Sequence, residues 1–588
     1  MQYKLIKENN YSYTPIEQIL INRGIPYSEI DHYFNTTDDD INDYRLFGED
    51  NLKIAGTLLK AAIDDNCHIY LPIDCDMDGY TSAALFINYL TDIWGKENVD
   101  EYLQYVHHEG KQHGLKDIIE DIIVNKPDIV ICLDAASNDY EEHKRLRELG
   151  IVVIVLDHHE AEKISPDAII INNQLSDYPN KALSGVGVTW QFCRYLDENV
   201  FYTNYADKYL DLVAMGLCAD MMSLRSFETK HLIKKGLEDT RIKNLFIYYL
   251  AKKNSYSLGD HITPIGAAFY IVPFVNAVVR SGTLEEKYIV FNSMLQNHAF
   301  DIIPSTKRGC KGQTEKLVEQ AVRTAVNIKA RQTREQDKAM EVLEKRIEKD
   351  NMLNHKVLLF LLEQGEIAPG LAGLVANKIM AKYQRPCCIL TKGIDECGNE
   401  LFQGSARGYS KTGISSFKDI CEQSNIIQFA MGHANAFGLG ILEANVSAFL
   451  KYTDNILKDM QSEPLYYVDY IYKNGEINSN DIMSIGSLSD LWGQDIDESY
   501  IVVENLKVKK SQINIYNKKD NTIKISTDSG VDIMKFKATA EECQLFTDNE
   551  QVTITLVGRC NINEWCGKIT PQIFIEEFQV NNKLKYVF

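Results

Sequence analysis

The sequence predicts an α/β protein with a parallel-sheet domain, a long connecting helix, a smaller α/β domain and a C-terminal β-barrel. Three observations predict this architecture. Apolar strands alternate with helix-like segments between about residues 50 and 240, a charged stretch without Pro or Gly follows Gly312, and short β-like runs fill the end of the chain. At 588 residues the chain is also too long for one hydrophobic core. We expect four parts, at residues 1–310, 311–352, 353–458 and 459–588.

The parallel sheet is predicted from four short apolar runs in the first half of the chain. Apolar runs that alternate with helical patterns favour parallel strands with helices on both faces. Ligands of such sheets bind beyond the carboxyl ends of the strands. The predicted strands are Ile69–Ile73, Asp128–Leu133, Val152–Leu156 and Ala168–Ile171.

The later elements are predicted from the same kinds of pattern. The stretch Gln313–Asp350, dense in Lys, Glu, Arg and Ala, predicts one long helix. The smaller α/β domain is predicted from a strand at Lys356–Leu362, a helix at Leu371–Tyr383 and a strand at Cys387–Leu390. The runs that indicate a small antiparallel barrel or sandwich are Tyr500–Glu504, Gln512–Tyr516, Thr522–Ser526, Gln551–Gly558 and Gln572–Glu577.

The composition narrows the class of protein. Apolar runs such as Val357–Leu362 are far shorter than the roughly 20 residues that span a membrane, and the N-terminus has no apolar signal-peptide core. We therefore expect a cytoplasmic protein without a membrane partner. The 13 cysteines form no CxxC pair, which predicts reduced, buried thiols. The net charge of −21 argues against a coat of nucleic acid but leaves room for a locally basic channel.

The motif DCDMDG at residues 74–79 directly follows the first predicted strand. Its aspartates Asp74, Asp76 and Asp78 alternate, and like charges this close resist ionisation unless a cation or a proton offsets them. A calcium-binding EF-hand loop is excluded, because Leu85 stands where that loop needs a bidentate Glu and because the preceding segment is β-like. The motif therefore predicts another kind of divalent-metal site.

Further carboxylate and imidazole groups end other apolar segments of the same region. They are Asp134, Asp157-His158-His159 and, after the apolar segment Leu212–Ala219, Asp220. Carboxylates and an imidazole at one rim suit Mn²⁺ or Mg²⁺, and a shared Asp could bridge two ions about 3.5–4 Å apart for phosphoester hydrolysis. Taken singly, Asp134 could be a helix N-cap, the two histidines a polar turn, and Asp220 the end of a helix.

In this order the motifs DCDMDG, LDAASND, LDHHE and CADMMSL resemble the four motifs of the DHH phosphoesterases, named for the Asp-His-His found here at residues 157–159. The segments GSARG at 404–408 and MGHANAFG at 431–438 are similar to the DHHA1 substrate-binding domain of that superfamily. LINRGI, LSGVGVTW, APGLAGLVANKI and the long connector resemble the RecJ single-strand exonuclease branch. INEWCGKITPQ resembles the end of that branch's oligonucleotide-binding (OB) barrel. The resemblance covers nearly the whole chain.

The resemblance implies a centre with two ions of Mn²⁺ or Mg²⁺. The first ion would be held by Asp78, Asp134, His158 and Asp220. The second would be held by Asp76 and Asp134, with help from Asp74 or water. His159 would face the scissile phosphate as a hydrogen-bond donor or acid, and Asp157 would orient an imidazole.

The resemblance also implies contacts to the substrate. Ser405, Arg407 and His433 would hold phosphates, which the planar fork of Arg matches. Asn276 and Arg280 stand where the RecJ branch contacts phosphate and strand. In the barrel, lysines interleaved with aromatic residues suit a strand-binding face, with solvated hairpin lysines as the alternative. These lysines are Lys507, Lys509, Lys510, Lys518, Lys519 and Lys524.

Four positions depart from the family pattern. Pro72 stands where a histidine is sometimes found two residues before the first Asp, which predicts that the first ion is weakly held. Phe274 and His108 stand where arginines are expected, and Met431 replaces the first Gly of the GGH motif. The changes leave the expected metal ligands intact and indicate a divergent member with an altered grip on the strand.

Three functions are compatible with these patterns. The first is a RecJ-like exonuclease that degrades single-stranded DNA 5′→3′ to mononucleotides, with a single-strand-binding protein or a helicase as conceivable partners. The second is a phosphodiesterase for short RNA or cyclic dinucleotides, which residues 460–588 disfavour because such relatives typically lack the barrel. The third is a non-catalytic single-strand-binding scaffold, which the complete set of expected ligands disfavours.

Overall fold

The structure is a computed structural model that describes the chain except residues 11, 110–112, 239–241, 260, 369, 395–399, 410–412, 460–464, 518, 519, 566 and 582–588. Two compact units are defined by internal contacts. Unit 1 comprises Met1–Asn22, Arg331–Ser487 and Ser499–Phe588, and unit 2 comprises Arg23–Ala330 and Leu488–Glu498. The four-part division expected from the sequence differs from these units, for example at Met1–Asn22 and Leu488–Glu498, and it stays a prediction.

The bounds of the regular elements are as follows. The helices are α1 Pro15–Asn22, α2 Ile30–Phe34, α3 Glu49–Asp64, α4 Met77–Trp94, α5 Lys96–Tyr102, α6 Ile119–Asn125, α7 Tyr140–Glu148, α8 Gly185–Leu196, α9 Leu210–Ala219, α10 Phe227–Leu237, α11 Leu245–Lys253, α12 Ser255–Leu258, α13 Pro264–Tyr270, α14 Val272–Ser281, α15 Leu284–Asn292, α16 Leu317–Lys349, α17 Ala372–Tyr383, α18 Phe417–Gln423, α19 Val446–Ile456, α20 Ser479–Gly486 and α21 Ala540–Asp548. The strands are β1 Gln2–Leu5, β2 Ile69–Ile73, β3 Leu103–His107, β4 Ile129–Leu133, β5 Val152–Asp157, β6 Ile169–Asn172, β7 Ile302–Pro304, β8 Thr314–Lys316, β9 Leu358–Leu362, β10 Cys387–Ile394, β11 Glu400–Arg407, β12 Phe429–His433, β13 Ala436–Leu442, β14 Leu465–Val468, β15 Tyr470–Tyr472, β16 Tyr500–Lys509, β17 Ile513–Asn517, β18 Asn521–Ser526, β19 Asp532–Ala538, β20 Gln551–Trp565 and β21 Lys568–Val580.

The sheet of unit 2 is parallel and has the strand order β3-β2-β4-β5-β6. Val130 and Cys132 of β4 pack with Ile122 of α6 and Leu146 of α7 in one hydrophobic cluster. Helices α4 and α8 contact the strands from the other side. The predicted parallel sheet with helices on both faces is confirmed, and its edge strand β3 was not predicted because its alternation is broken by polar residues.

The smaller α/β part of unit 1 has a five-stranded sheet in the order β12-β13-β11-β10-β9, in which only β9 and β10 are paired in parallel among these neighbours. Phe402 and Phe437 pack with Phe417 of α18 on one face. On the other face, Leu343 of α16 and Val375 of α17 lie in a second cluster. The long charged stretch forms α16, a single helix of 33 residues, as predicted.

The C-terminal region of unit 1 is rich in strands, as predicted. Its sheet has the order β15-β16-β20-β21-β19-β18-β17, and β15 with β16 and β19 with β21 run parallel while the other neighbours run antiparallel. Bulges interrupt the pairing between Val503 and Leu506 and between Val557 and Gly558. Of the lysines expected on a binding face, Lys518 and Lys519 lie outside the described residues, and Lys524 is paired with Asp532 at 2.7 Å.

Among the described residues, one stretch, Pro264–Ser281, passes a test of length and apolar character for a membrane span, and half of it is buried inside the structure. The structure divides it into α13 and α14, which contact each other and α9. Buried core helices pass the same test, so this stretch is weak evidence for a membrane segment.

Candidate metal centre

The first acidic motif forms a tight turn between β2 and α4. Asp74 is buried directly after the strand, and Asp76 caps the helix by accepting a hydrogen bond from the Gly79 amide at 3.0 Å. A Cβ on Gly79 would lie 2.6 Å from the Asp74 Cβ and 2.8 Å from its carbonyl oxygen, so only glycine fits this close approach. The turn therefore brings three alternating aspartates to the carboxyl end of one buried strand.

The Asp78 carboxylate lies at the N-terminus of α8. Its Oδ2 accepts a hydrogen bond from the Gly185 amide at 2.7 Å, and its Oδ1 accepts one from Ser184 Oγ at 2.9 Å. A Cβ on Gly216 of α9 would lie 2.1 Å from Asp78 Oδ1, so both helices enclose the group. Burial, followed by the charges of Asp220 and Asp76, raises the pKa of Asp78 well above its usual value.

Asp134 follows β4 with a left-handed backbone, φ 64°, and its amide donates to the Leu156 carbonyl at 2.8 Å. The side chain is buried, and a Cβ on Gly185 would lie 2.3 Å from its Oδ1. Burial, followed by the charges of Asp78 and Asp76, raises its pKa well above the usual value. Asp134 is thus in an acidic cluster whose mutual repulsion a cation would offset.

Asp157 and His159 form a charge-assisted pair. The Asp157 Oδ1 atom accepts hydrogen bonds from the amides of His158 at 2.7 Å and His159 at 3.2 Å, and it lies 2.8 Å from His159 Nδ1. Burial lowers the pKa of His159, but the hydrogen bond and charge of Asp157 outweigh it and raise the pKa to about 9. The same pairing outweighs burial at Asp157 and holds its pKa below the usual range. The outer edge of a protonated, half-exposed imidazole is therefore available to an anion.

His158 lies between two carboxylates. Its Nε2 is 3.1 Å from Asp134 Oδ1 and 3.2 Å from Asp220 Oδ2. Burial lowers the pKa of His158 to about 4, which favours the neutral imidazole that ligates metals. Burial and the charge of Asp76 raise the pKa of Asp220 to about 6.

Three buried atoms of the cluster have no hydrogen-bond partner among the residues that the structure describes: Asp74 Oδ1, Asp134 Oδ1 and His158 Nε2. Buried polar atoms are normally paired, so each needs an explanation. Neighbouring ligands of an octahedral ion lie about 3 Å apart when each is about 2.1 Å from the metal, close to the separations around His158. Oxygen ligands with one imidazole are the donor set that Mn²⁺ and Mg²⁺ accept, so the residues fit the expected ions.

The potential ligand atoms fall into overlapping sets whose members lie within 4.8 Å of one another. One set is Asp78, His158 and Asp220; another is Asp74, Asp76 and Asp134; a third is Asp134, His158 and His159. The structure thus brings together all eight residues predicted at this rim, and their roles stay predictions. We call this group the metal rim; it consists of Asp74, Asp76, Asp78, Asp134, Asp157, His158, His159 and Asp220. Asp220 ends helix α9 and not a strand, which was one of the alternatives left open by the sequence.

Asn276 and Arg280 lie four residues apart on α14. The Asn276 Oδ1 atom accepts a hydrogen bond from the Met77 amide at 3.2 Å, next to Asp76, so this side chain supports the first turn of α4. Arg280 is exposed in the last turn of the helix. The structure therefore brings Asn276 to the metal rim, and the predicted substrate role of both residues stays a prediction.

The remaining predicted residues lie in unit 1. Arg407 of β11 and His433 of β12 both pair in register with Ala436 of β13, so their side chains leave the same face of the sheet. A Cβ on Gly373, in the first turn of α17, would lie 2.5 Å from Arg407 Nη2 and 3.2 Å from Ser405 Oγ. A helix N-terminus beside a guanidinium and a hydroxyl is suited to an anion.

Two contributions to the metal rim were missed in the sequence. Ser184 and Gly185 bind the Asp78 carboxylate, whereas their segment LSGVGVTW by itself indicates only the family resemblance. His113 Nδ1 lies 2.6 Å from Asp74 Oδ2. The sequence signal for this contact is that His113 and Gly114 follow shortly after β3, which is paired with β2. His108, by contrast, is buried, and Lys287 donates to its carbonyl at 2.7 Å.

Comparison with known proteins agrees with the fold and identifies the family of the chain. Residues 68–217 match the model of the DHH family, N-terminal domain. The chain is 33% identical over 585 residues to the SPbeta prophage-derived protein YorK of Bacillus subtilis (strain 168), covering 99% of this chain and 98% of that one. It is 26% identical to the single-stranded-DNA-specific exonuclease RecJ of the same organism, covering 96% of this chain and 68% of RecJ.

Solved structures show the same fold. The crystal structure of RecJ in complex with Mn²⁺ from Thermus thermophilus has a TM-score of 0.71 at 18% identity and covers 99% of this chain and 80% of that one. RecJ from the same organism in complex with Mg²⁺ has a TM-score of 0.62. Fold, site and sequence together define a protein of the DHH family. Within that family, the chain belongs to the RecJ branch.

Proposed function

We propose that the chain is a metal-dependent exonuclease that degrades single-stranded DNA 5′→3′ to mononucleotides with two divalent ions. The observation that carries the proposal is the rim of unit 2. There, buried carboxylate oxygens and the imidazole of His158 lie close together, and three of these atoms have no hydrogen-bond partner in the part of the chain that the structure describes. The names of the RecJ relatives, which cover nearly the whole chain, supply the substrate class and the exonuclease reaction.

The two ions are assigned to the overlapping ligand sets. Asp78, Asp134, His158 and Asp220 would hold one ion, and Asp74, Asp76 and Asp134 the other. Bound there, divalent ions supply the Lewis acidity that makes water nucleophilic near neutral pH and offsets the charge on a phosphoryl group. Asp134 is assigned to both ions, since it lies in the set with Asp74 and Asp76 and its Oδ1 is 3.1 Å from His158 Nε2. Its burial beside Gly185 restricts the orientation of the carboxylate.

His159 donates a hydrogen bond to the scissile phosphate in this proposal. Asp157 fixes the ring through Nδ1, and the raised pKa of about 9 keeps the imidazole protonated at neutral pH. The remaining Nε2–H is then a donor for a phosphate oxygen whose charge grows during hydrolysis. Asp157 is itself fixed by the Ser137 amide at 3.0 Å, so the orientation of His159 depends on the backbone after β4 and β5.

In this proposal the unit 1 cluster of Ser405, Arg407 and His433 binds phosphates of single-stranded DNA. Arg407 offers a planar fork, Ser405 a hydroxyl and the first turn of α17 its backbone amides, while His433 adds an exposed imidazole. Lys507 and Lys509 of β16 would also contact single-stranded DNA.

The direct test uses single-stranded DNA labelled at either end, its covalently closed circle and the matching duplex, each with Mn²⁺ or Mg²⁺. The proposal expects early release of a 5′-terminal mononucleotide from the linear strand and no product from the circle. Products longer than one nucleotide, cutting of the circle, or faster turnover of a dinucleotide than of a long strand would each contradict it.

A further inference from the structure

His113 enters the metal rim from the loop after β3, the strand that lies beside β2. Its Nδ1 is 2.6 Å from Asp74 Oδ2, and its side chain is 56% exposed. The ligand atoms of His113, Asp74 and Cys75 lie within 4.8 Å of one another. Asp74 also belongs to the set with Asp76 and Asp134, so His113 adjoins one of the two proposed ion sites.

That ion site lacks an imidazole from the strand itself. Pro72, two residues before Asp74, is buried within β2 and has no side-chain donor. The other ion site includes His158, whereas the set of Asp74, Asp76 and Asp134 contains only carboxylates. A nitrogen ligand from the loop after β3 would give the ion of Asp74, Asp76 and Asp134 an imidazole as well, and the two sites would then be chemically similar.

A partner for Asp74 is required on a second ground. Its Oδ1 atom is buried and has no hydrogen-bond partner among the described residues, as is true of Asp134 Oδ1. The contact of Oδ2 with His113 leaves these two oxygens unsatisfied. An ion between them satisfies both, and the imidazole that already touches Asp74 can become its next ligand with a small movement of an exposed ring.

We propose that His113 is a ligand of the ion held by Asp74, Asp76 and Asp134, and that it supplies the imidazole that Pro72 cannot. The inference rests on the proposed two-ion centre. Cys75 is not part of the ligand set, because Mn²⁺ and Mg²⁺ prefer oxygen and imidazole to a thiol. Full occupancy of the second site then depends on a loop residue outside the predicted motifs.

The experiment measures Mn²⁺ binding and not turnover. The full chain, His113→Gln, His113→Asn and the control His32→Gln are titrated with Mn²⁺ by calorimetry. His32 is a matched control, because it is 51% exposed and its Nε2 lies 2.6 Å from Asp40 Oδ1. Neither residue belongs to the metal rim. Pulsed electron paramagnetic resonance of the Mn²⁺-loaded chains, prepared with ¹⁵N-histidine, counts the imidazole nitrogens coupled to the metal.

We expect two ions in the unmodified chain and in His32→Gln. Both His113 variants keep one ion, bind the other about 10- to 100-fold more weakly, and lose part of the ¹⁵N coupling. Two ions bound with unchanged affinity in the His113 variants would overturn the inference and leave the proposed function standing. Weaker binding with unchanged ¹⁵N coupling would also overturn it, since His113 would then only position Asp74. An unmodified chain that binds no Mn²⁺ would instead contradict the proposed function.

Discussion

Unit 2 contains buried carboxylates in two opposite kinds of surroundings, that of Glu228 and that of the metal rim. Glu228 of α10 accepts hydrogen bonds from the Tyr178 hydroxyl, from Asn180 at 2.8 Å, from Gln191 at 3.1 Å, and from the amide and side chain of Asn42 at 3.0 and 2.8 Å. Each of these groups is a neutral donor. At the metal rim, by contrast, the Asp134 carboxylate faces the charges of Asp78 and Asp76, and its Oδ1 lies 3.1 Å from His158 Nε2.

The difference distinguishes a carboxylate whose charge the protein satisfies from the carboxylates proposed to bind metal. Five donors satisfy the charge of Glu228 and hold the segment around Asn42 against α8 and α10. At the metal rim, repulsion between carboxylates lowers the free energy of unfolding. Asp74 Oδ1 and Asp134 Oδ1 have no hydrogen-bond partner there among the described residues. Burial alone therefore does not identify a site; the kind of neighbour does.

The largest expected effect is at Asp134, which both proposed ions share. Asp134→Asn should lower exonuclease activity at least about 1000-fold, or about 4 kcal/mol at the transition state, because neither ion keeps its bridging carboxylate. Without metal the same change should raise the free energy of unfolding by about 1 kcal/mol, since it removes one of several repelling charges. Product release and metal-free denaturant melts measure the two effects.

Asp134→Asn is thus expected to lower the activity while raising the metal-free free energy of unfolding. A variant that loses activity because it is misfolded would lose stability as well. Retained activity in Asp134→Asn would contradict the bridging role, and a clear loss of metal-free stability would show that Asp134 is satisfied in a way the rim geometry does not explain.

Glu228→Gln should show the reverse behaviour. An amide in place of the carboxylate turns one acceptor into a donor that faces Asn180 and Asn42, so we expect the free energy of unfolding to fall by about 3 kcal/mol. Below its melting temperature the variant should bind Mn²⁺ with unchanged affinity. Denaturant melts and calorimetry test this, and weakened Mn²⁺ binding in the folded variant would remove the distinction between the two clusters.

Metal addition sharpens the same comparison. At a Mn²⁺ concentration 100 times the dissociation constant, each occupied site should add about 2.7 kcal/mol to the free energy of unfolding. The increase should appear in the unmodified chain and in Glu228→Gln, and it should largely vanish in Asp134→Asn. Thermal melts with Mn²⁺ or with chelator measure it, and equal stabilisation of Asp134→Asn by Mn²⁺ would place the ions elsewhere.

The sequence was sufficient for the strands that carry the motifs. Ile69–Ile73 is an uninterrupted apolar run that is buried on both faces, so its bounds and the position of Asp74 at its end follow directly. The long helix α16 was equally accessible, since Gln313–Asp350 has no helix breaker. The eight predicted rim residues came together because parallel strands share one carboxyl edge, to which helix α9 adds Asp220.

Other features required three-dimensional contacts. β3 carries polar residues within a short edge strand, so its pattern was not distinctive, and the approach of His113 to Asp74 follows from that strand being next to β2. The binding of Asp78 by Ser184 and Gly185 spans more than 100 residues of sequence and depends on where α8 begins. Neither contact has a local periodic signal.

The smallest expected effect is at Arg407 in unit 1. Arg407→Lys keeps the charge but loses the planar fork, so we expect KM for single-stranded DNA to rise about tenfold while Mn²⁺ affinity stays unchanged. Arg346→Lys is the control, because that guanidinium pairs with Glu366 in the same unit and should not affect KM. Steady-state kinetics on a fixed-length strand separates KM from kcat. A fall in kcat at unchanged KM would mean that Arg407 acts on the transition state and not on substrate phosphates, and the grip on the strand would then have to come from other residues.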